Sequence, residues 1–254
     1  NFGEVVLEVK NLTVEDINKF EKVIDVSFKV HAGEIFAIAG VMGNGQSELA
    51  DAIVGLMYAN SGTILLNGTD ITRYSVRKRA LAGISYIPED RHGVGLILDS
   101  SLQQNLGMKS YFKHPFSLRG ILRPATFESH ADRLMKEYDI RAGRGSRALT
   151  REMSGGNQQK AIVAREVEKD SDLLIFVQPT RGLDIGATMA IRERIIAQRE
   201  RGKAVLLISL ELDEVLSLAD TIGVMYGGRM QKIAPASELS RSQVGEYMMG
   251  VKRS

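Results

Sequence analysis

The sequence predicts an α/β fold built on a mostly parallel sheet with both faces covered. Short, continuously apolar runs alternate along the chain with stretches of helical periodicity. One such run leads into a glycine-rich turn that opens a helix. Between about Ile97 and Thr150 the buried-strand runs stop, so a helical insertion of its own is expected there.

The elements follow in order. Glu4–Val9 alternates apolar and polar residues in part and Val26–Val30 does so loosely; both read as strands of a half-exposed sheet. After His31-Ala32-Gly33, Glu34–Ala39 is a short apolar strand running into the glycine-rich turn. A helix is expected from Ser47, because Leu49, Ala52, Ile53 and Leu56 recur at helical spacing. Thr63–Leu66 with Asn67-Gly68 gives a strand and a hairpin turn, and the basic run Arg73–Arg79 beside it reads as a solvated face. Ile84–Ile87 is a buried strand ended by Pro88. Pro115, Gly120 and Pro124 mark an irregular connection, after which Phe127, Ala131, Leu134 and Tyr138 line one face of a helix. Past Ser154 the alternation returns: Leu173–Val177, a helix carrying Met189, Ile195 and Ile196, then Ala204–Ser209. No internal repeat or low-complexity segment is present.

Composition narrows the function. At 254 residues, 44% hydrophobic and 25% charged, the chain has the make-up of a soluble globular protein with a sizeable core. Thirty-three Lys+Arg against 31 Asp+Glu give a net charge of +2, and no aromatic-interleaved basic patch stands out, so nucleic acid is not an expected partner. With no cysteine, disulfides, cysteine zinc sites and thiol redox chemistry are excluded. The longest apolar runs are too short to span a bilayer and no signal peptide is visible. The first residue is Asn1 rather than Met, which suggests a piece of something longer.

Two segments carry chemistry. Gly40-Val41-Met42-Gly43-Asn44-Gly45-Gln46-Ser47 has the spacing of the G-x-x-x-x-G-K-[ST] phosphate loop, with Gln46 at the lysine position. Its glycines let backbone N–H groups turn inward around phosphate oxygens, the helix start adds its positive end, and the Ser47 hydroxyl suits Mg²⁺. An ordinary glycine-rich strand-to-helix turn also fits this segment alone; the G-x-G-x-x-G order of a Rossmann loop is not met. Further on, Met153-Ser154-Gly155-Gly156-Asn157-Gln158-Gln159-Lys160 opens a second helix. A serine and two glycines at a helix start make an anion cradle, or simply an N-cap with Ser154 as the capping residue.

Together these residues resemble the ATP-binding cassette (ABC) family. Ser154–Lys160 resembles the LSGGQ signature and, in its SGGNQQK form, the second cassette of simple-sugar and nucleoside importers. Gln178-Pro179-Thr180-Arg181-Gly182-Leu183-Asp184 resembles the end of the Walker B strand plus the D-loop. Ile87-Pro88-Glu89-Asp90-Arg91 resembles the segment that replaces the Q-loop, with Glu89 at its centre. The motifs keep the family's order from roughly Gly33 to Met225.

The resemblance implies an α/β P-loop NTPase cassette: one nucleotide-binding domain over 1–254, with a RecA-like core, an antiparallel β edge and a helical subdomain at about 97–165. It implies Gly40, Gly43, Asn44, Gly45, Gln46, Ser47 and Glu48 as nucleotide-binding residues, with Ser47 a weak Mg²⁺ ligand. Ser154, Gly155, Gly156 and Asn157 become a signature acting in trans, Asp184 the D-loop acid, and Glu89 and the turn to Gly95 a coupling segment. Phe20 is a candidate adenine-stacking aromatic, with a core position as the simpler expectation.

The sequence also departs from the family's pattern. Gln46 replaces the loop lysine, Val177 and Gln178 replace the Walker B carboxylates, and Leu210 stands at the switch histidine. No catalytic residue is then intact in cis. The expectation is a degenerate, inactive or nearly inactive cassette, lending its signature to an active first cassette on the same polypeptide or another subunit. ATP and Mg²⁺ would bind mainly at that shared site and weakly or not at all at this chain's own loop. Implied partners are transmembrane permease subunits and, indirectly, an extracytoplasmic substrate-binding protein, with the cassette peripheral on the cytoplasmic face of the membrane. The missing carboxylates favour nucleoside over sugar uptake. A soluble non-transport ABC protein and a nucleotide-sensing regulatory domain are the alternatives.

Overall fold

Residues 2–251 are described in this computed structural model. In chain order the strands are β1 (Val5–Glu15), β2 (Glu21–His31), β3 (Ile35–Ala39), β4 (Ser61–Leu66), β5 (Thr69–Asp70), β6 (Ile84–Ile87), β7 (Ser117–Leu118), β8 (Ile121–Leu122), β9 (Leu173–Val177), β10 (Ala204–Ser209), β11 (Thr221–Tyr226) and β12 (Arg229–Pro235). The α-helices are α1 (Gln46–Val54), α2 (Val76–Ala82), α3 (Leu102–Gly107), α4 (Pro124–Glu137), α5 (Gly155–Glu168), α6 (Ile185–Glu200), α7 (Leu212–Leu218) and α8 (Arg241–Met248). Two compact units result. The first takes residues up to Tyr86, Ser171–Gln178 and from Arg194 on; the second takes Ile87–Asp170 and Pro179–Glu193.

The first unit holds a six-stranded sheet ordered β12-β11-β3-β10-β9-β6. Every residue of β3, β9 and β10 is buried, as continuous apolar runs require when both faces of a parallel sheet are covered. The register pairs Ser209 with Ala39 and Ile208 with both Ile38 and Val177. The residues that follow these strands, Gly40, Gln178 and Leu210, therefore emerge at one carboxyl edge, where open α/β sheets bind ligands.

A second, antiparallel sheet is ordered β2-β1-β4-β5. β1 runs past the predicted Glu4–Val9 because bulges interrupt its alternation between Val9 and Leu12 and between Leu12 and Val14. Asn11 sits there with φ +48°, its N–H bonded to Ser27 Oγ and its amide to Asp25 Oδ1. The core joins Leu7 and Leu12 of β1 to Phe36 and Ile38 of β3 and to Leu49 and Ile53 of α1.

Two expectations in this unit are corrected. The helix from the glycine loop ends before Leu56, which is 48% exposed, because Gly55 turns left-handed (φ +90°) and stops the helix at Val54. The run Arg73–Arg79 is not wholly a solvated face: Arg73, Arg77 and Lys78 are exposed, but Arg79 is only 3% exposed. Its guanidinium donates to the carbonyls of Ala52 (2.6 Å) and Ile53 (2.7 Å) at the end of α1, and to Thr72 (2.8 Å) and Tyr74 (3.0 Å). A cation thus satisfies carbonyls that the end of α1 leaves open, where the helix dipole favours it.

The second unit carries α3, the β7–β8 hairpin, α4, α5 and the first half of α6. Ala131, Leu134 and Tyr138 of the α4 segment are buried as predicted, while Phe127 is half-buried against Phe116, ring to ring at 5.0 Å. On the helix carrying Met189, Ile195 and Ile196, Met189 is 58% exposed, while Ala187, Ile191 and Ile195 are buried.

Candidate phosphate-loop and signature sites

β3 delivers Gly40 to the start of the glycine-rich turn, and left-handed residues shape the turn itself: Gly43 has φ +85° and Gly45 φ +97°. A side chain at Gly45 would collide with the Lys22 carbonyl, and one at Gly40 with the Gln46 amide, so the close approaches demand glycine as much as the torsions do. Gln46, the first residue of α1, is 4% exposed and folds back across the turn, its Nε2 donating to the Val41 carbonyl at 3.2 Å. Asn44 Nδ2 donates to the same oxygen at 3.2 Å. From the other side, Gly227 N–H donates to Asn44 Oδ1 (2.8 Å) and Gly228 N–H to the Asn44 carbonyl (3.2 Å), clasping the turn to the β11–β12 hairpin. Ser47 is exposed on the first turn of α1, and Glu48 beside it is half-buried. Phe20, between β1 and β2, is 65% exposed and so does not occupy the core position expected of it.

At the ends of β9 and β10, Val177 is buried in the sheet. Gln178 is also buried and left-handed (φ +49°), unusual for a side-chain-bearing residue and a small store of strain. Its backbone N–H donates to the Ile208 carbonyl at 2.8 Å, while its Oε1 accepts from Leu210 N–H at 3.3 Å. The Gln178 side chain thus holds backbone.

In the second unit, Ser154 caps α5 and accepts from Asn157 N–H (3.4 Å) and Asn157 Nδ2 (2.9 Å). The polar residues that follow each fasten this helix start. Asn157 Oδ1 accepts from Arg141 N–H at 2.8 Å. Gln158 donates to the Thr150 carbonyl at 2.9 Å, and Gln159 to the Pro179 carbonyl at 2.8 Å. Lys160 reaches the Asp139 carbonyl at 2.9 Å. Asp184 caps α6, its Oδ1 accepting from Ala187 N–H at 2.9 Å, and a side chain on Gly156 would press against Ala187 and Asp184. Glu89 pairs with Arg181. Sequence reasoning recognised SGGNQQK as a motif without these tasks, and it gave Arg91 and the Gly227-Gly228 clasp no role.

The geometry is that of a phosphate-binding turn on one unit and a glycine-flanked helix start on the other. A family model described as "ABC transporter" matches residues 23–181. The chain belongs to the ABC transporter family. Among curated relatives, it is 44% identical to the nucleoside import ATP-binding protein NupA of Lactococcus lactis over 97% of the chain and 49% of that protein. It is 45% identical to the guanosine import ATP-binding protein NupO of Bacillus subtilis over 98% of the chain and 48% of that protein. The ribose import ATP-binding protein RbsA of Corynebacterium glutamicum is 36% identical over 95% of the chain. The chain spans about half the length of the import proteins it matches. The fold agrees with a nucleotide-free ATP-binding cassette from an ABC transporter: TM-score 0.79, 20% identity, 95% of this chain and 96% of that one.

ABC cassettes are ATPases that bind ATP with Mg²⁺. The residues at this chain's loop fit such an ion poorly. The loop itself offers the Ser47 hydroxyl, and the residues at the end of β9, Val177 and Gln178, bring no carboxylate, where Mg²⁺ is ordinarily held by one or two carboxylates with substrate phosphates. No described helix is long and apolar enough to cross a membrane.

Proposed function

We propose that this chain is a cassette of a nucleoside importer that lends its signature to an ATP site built mainly by a partner cassette, and that its own loop does not turn over ATP. One contrast carries the reading. The signature turn is complete and individually fastened, while Gln46 in the glycine turn, Val177 and Gln178 at the end of β9 and Leu210 after β10, the positions the resemblance gives to a lysine, two carboxylates and a histidine, are all neutral. Phosphoryl transfer rests on positioning and charge stabilisation. A missing general base costs about 10²–10⁴-fold and each missing electrostatic donor about 10²–10³-fold. In addition, Gln46 and Gln178 spend their amides on backbone, at Val41 and Leu210.

On this reading the chain's single domain contains a helical subdomain over about 97–165. Gly40, Gly43, Asn44, Gly45, Gln46, Ser47 and Glu48 form a silent nucleotide loop. Ser154, Gly155, Gly156 and Asn157, with Asp184, face the partner's ATP and Mg²⁺, and Glu89 couples the cassette to permease subunits on the cytoplasmic face of the membrane. A substrate-binding protein completes the importer. Similarity to the NupA and NupO import proteins supports nucleosides over sugars as cargo.

The test is ATP turnover by this chain reconstituted with a partner cassette that has an intact loop lysine and Walker B carboxylates. Ser154→Arg is expected to abolish it, and Gln46→Lys in this chain alone is expected to yield no magnesium-dependent phosphate release. Full turnover with Ser154→Arg, or brisk phosphate release by this chain unaided, would defeat the proposal.

A further inference from the structure

Arg91 lies in the second unit, half-buried, between two stretches of backbone that carry the signature and the D-loop. Its Nη1 donates to the carbonyl of Gly155, the residue after Ser154, at 3.1 Å. Its Nη2 donates to the carbonyl of Arg181, in the turn that leads to Asp184, at 2.6 Å. The fit explains a glycine. A Cβ on Gly155 would lie 2.8 Å from Arg91 Nη1, so any side chain there would have to displace the guanidinium from its two carbonyls.

The base of the arginine is fixed as firmly as its tip. Asp90 accepts from the N–H groups of His92 (3.0 Å) and Gly93 (2.9 Å), tightening the turn. His92 Nε2 donates to Gln158 Oε1 at 2.9 Å, and a side chain on Gly95 would strike Ile162; both contacts are to α5. The Arg181 side chain closes the ring by pairing with Glu89. A planar guanidinium with parallel donors can hold two carbonyls at once; a lysine's point charge cannot hold both with that geometry.

We propose that Arg91 is a positioning residue. It locks the Ser154–Gly156 turn and the Arg181–Asp184 turn in one register, so that the hydroxyl, the helix-start amides and the Asp184 carboxylate are presented as a unit. Its importance for catalysis rests on the proposal that the signature is donated to a partner site; the lock itself does not.

The experiment uses this chain assembled with a partner cassette and membrane subunits, in wild-type, Arg91→Ala, Arg91→Lys and Ser154→Arg forms. Misplacing a positioning group by about 1 Å costs on the order of 100-fold. With Arg91→Ala, kcat is expected to fall by about that factor while KM for ATP stays within about threefold, because the partner loop supplies most ground-state binding. Arg91→Lys recovers only part of the loss. Hydrogen exchange supplies the second readout: peptides covering 154–160 and 180–188 are expected to exchange faster together in Arg91→Ala, with 124–137 unchanged. Wild-type exchange in the first two, or equal loosening of 124–137, overturns the lock. Unchanged kcat in Arg91→Ala while Ser154→Arg is dead overturns its catalytic importance. If Ser154→Arg is active but the two peptides loosen together, the lock stands and signature donation falls.

Discussion

Replacing Glu166 with glutamine removes a carboxylate that pairs with three cations in the second unit. Glu166 is 0% exposed on α5, with Lys109 Nζ at 2.5 Å, Arg165 Nε at 3.1 Å and Lys169 Nζ at 3.4 Å. Burial alone would raise its pKa; Lys109, Arg165 and Lys169 outweigh that and hold it at about 2, against an ordinary 4.5. Burial is also the main cause that pushes the Lys169 ammonium down; the attraction and hydrogen bond of Glu166 oppose it and offset the repulsion from Lys109 and Arg165. At about 1.4 kcal/mol per pKa unit, the Glu166 shift corresponds to about 3 kcal/mol of stability. The folded pKa is depressed, so this stability is fully present above pH 4.5 and is lost as the pH falls from there to about 2.

Glu166→Gln should therefore destabilise by about 3–5 kcal/mol at pH 7, since it leaves buried cations uncompensated. Followed by far-UV circular dichroism in urea, the unfolding midpoint should drop by about 1 M or more for an m-value near 3 kcal/mol/M. The variant should also lose the part of the acid sensitivity between pH 4.5 and 2 that Glu166 contributes, while Asp16, Asp70 and Asp139, also held below the usual carboxylate range, keep theirs. Adding Arg165→Met to Glu166→Gln should restore part of the midpoint. A loss below about 1 kcal/mol at neutral pH, or an unchanged acid profile, would refute the claim that the carboxylate is ionised and holds the cluster together.

Two further substitutions follow from single contacts. Arg79→Met strips the carbonyls of Ala52, Ile53, Thr72 and Tyr74 of their donor and should cost about 3 kcal/mol, read as a lowered thermal midpoint. At the phosphate turn, Gly43→Ala and Gly45→Ala impose similar torsional strain, but only the second drives a Cβ into backbone, at the Lys22 carbonyl. Gly43→Ala should cost about 1 kcal/mol and Gly45→Ala at least twice that, both measured by denaturant unfolding.

Much of the fold could be read from the chain because its signals are local. The all-apolar stretches that become β3, β9 and β10 announce covered parallel strands, and the loss of such runs after Ile97 announces a helix-rich region. What escaped is set by partners distant in sequence. Asn11 and its bulge break the alternation of β1, so the strand reads as half its length. Arg79 sits among exposed basic residues, and only the open end of α1, 26 residues back, makes it a buried cap. Met189 has the composition of a core residue but lies where its helix faces solvent. The one available hint to Arg91 was its place in the motif Glu89-Asp90-Arg91; nothing local tells that its donors meet carbonyls 64 and 90 positions away.

The same distinction bears on the sites. Motif spacing singled out Gln46 and Gln178; strand register puts Gln178, and Gly40 beside Gln46, at the sheet's carboxyl edge. Spacing could not say what the two amides do. Each has found a backbone partner, Val41 for one and Leu210 for the other, and each is buried. A buried amide that satisfies backbone has a reason to persist that is independent of turnover, since removing it leaves a polar group without a partner at about 1–3 kcal/mol. Restoring charge at one position would then disturb an arrangement that already satisfies itself without restoring the missing carboxylates. Ser154 is also bonded internally, accepting from the Asn157 N–H and Nδ2, but it is exposed where the two glutamines are buried, and that exposure is what the proposal of a phosphate bound across an interface rests on.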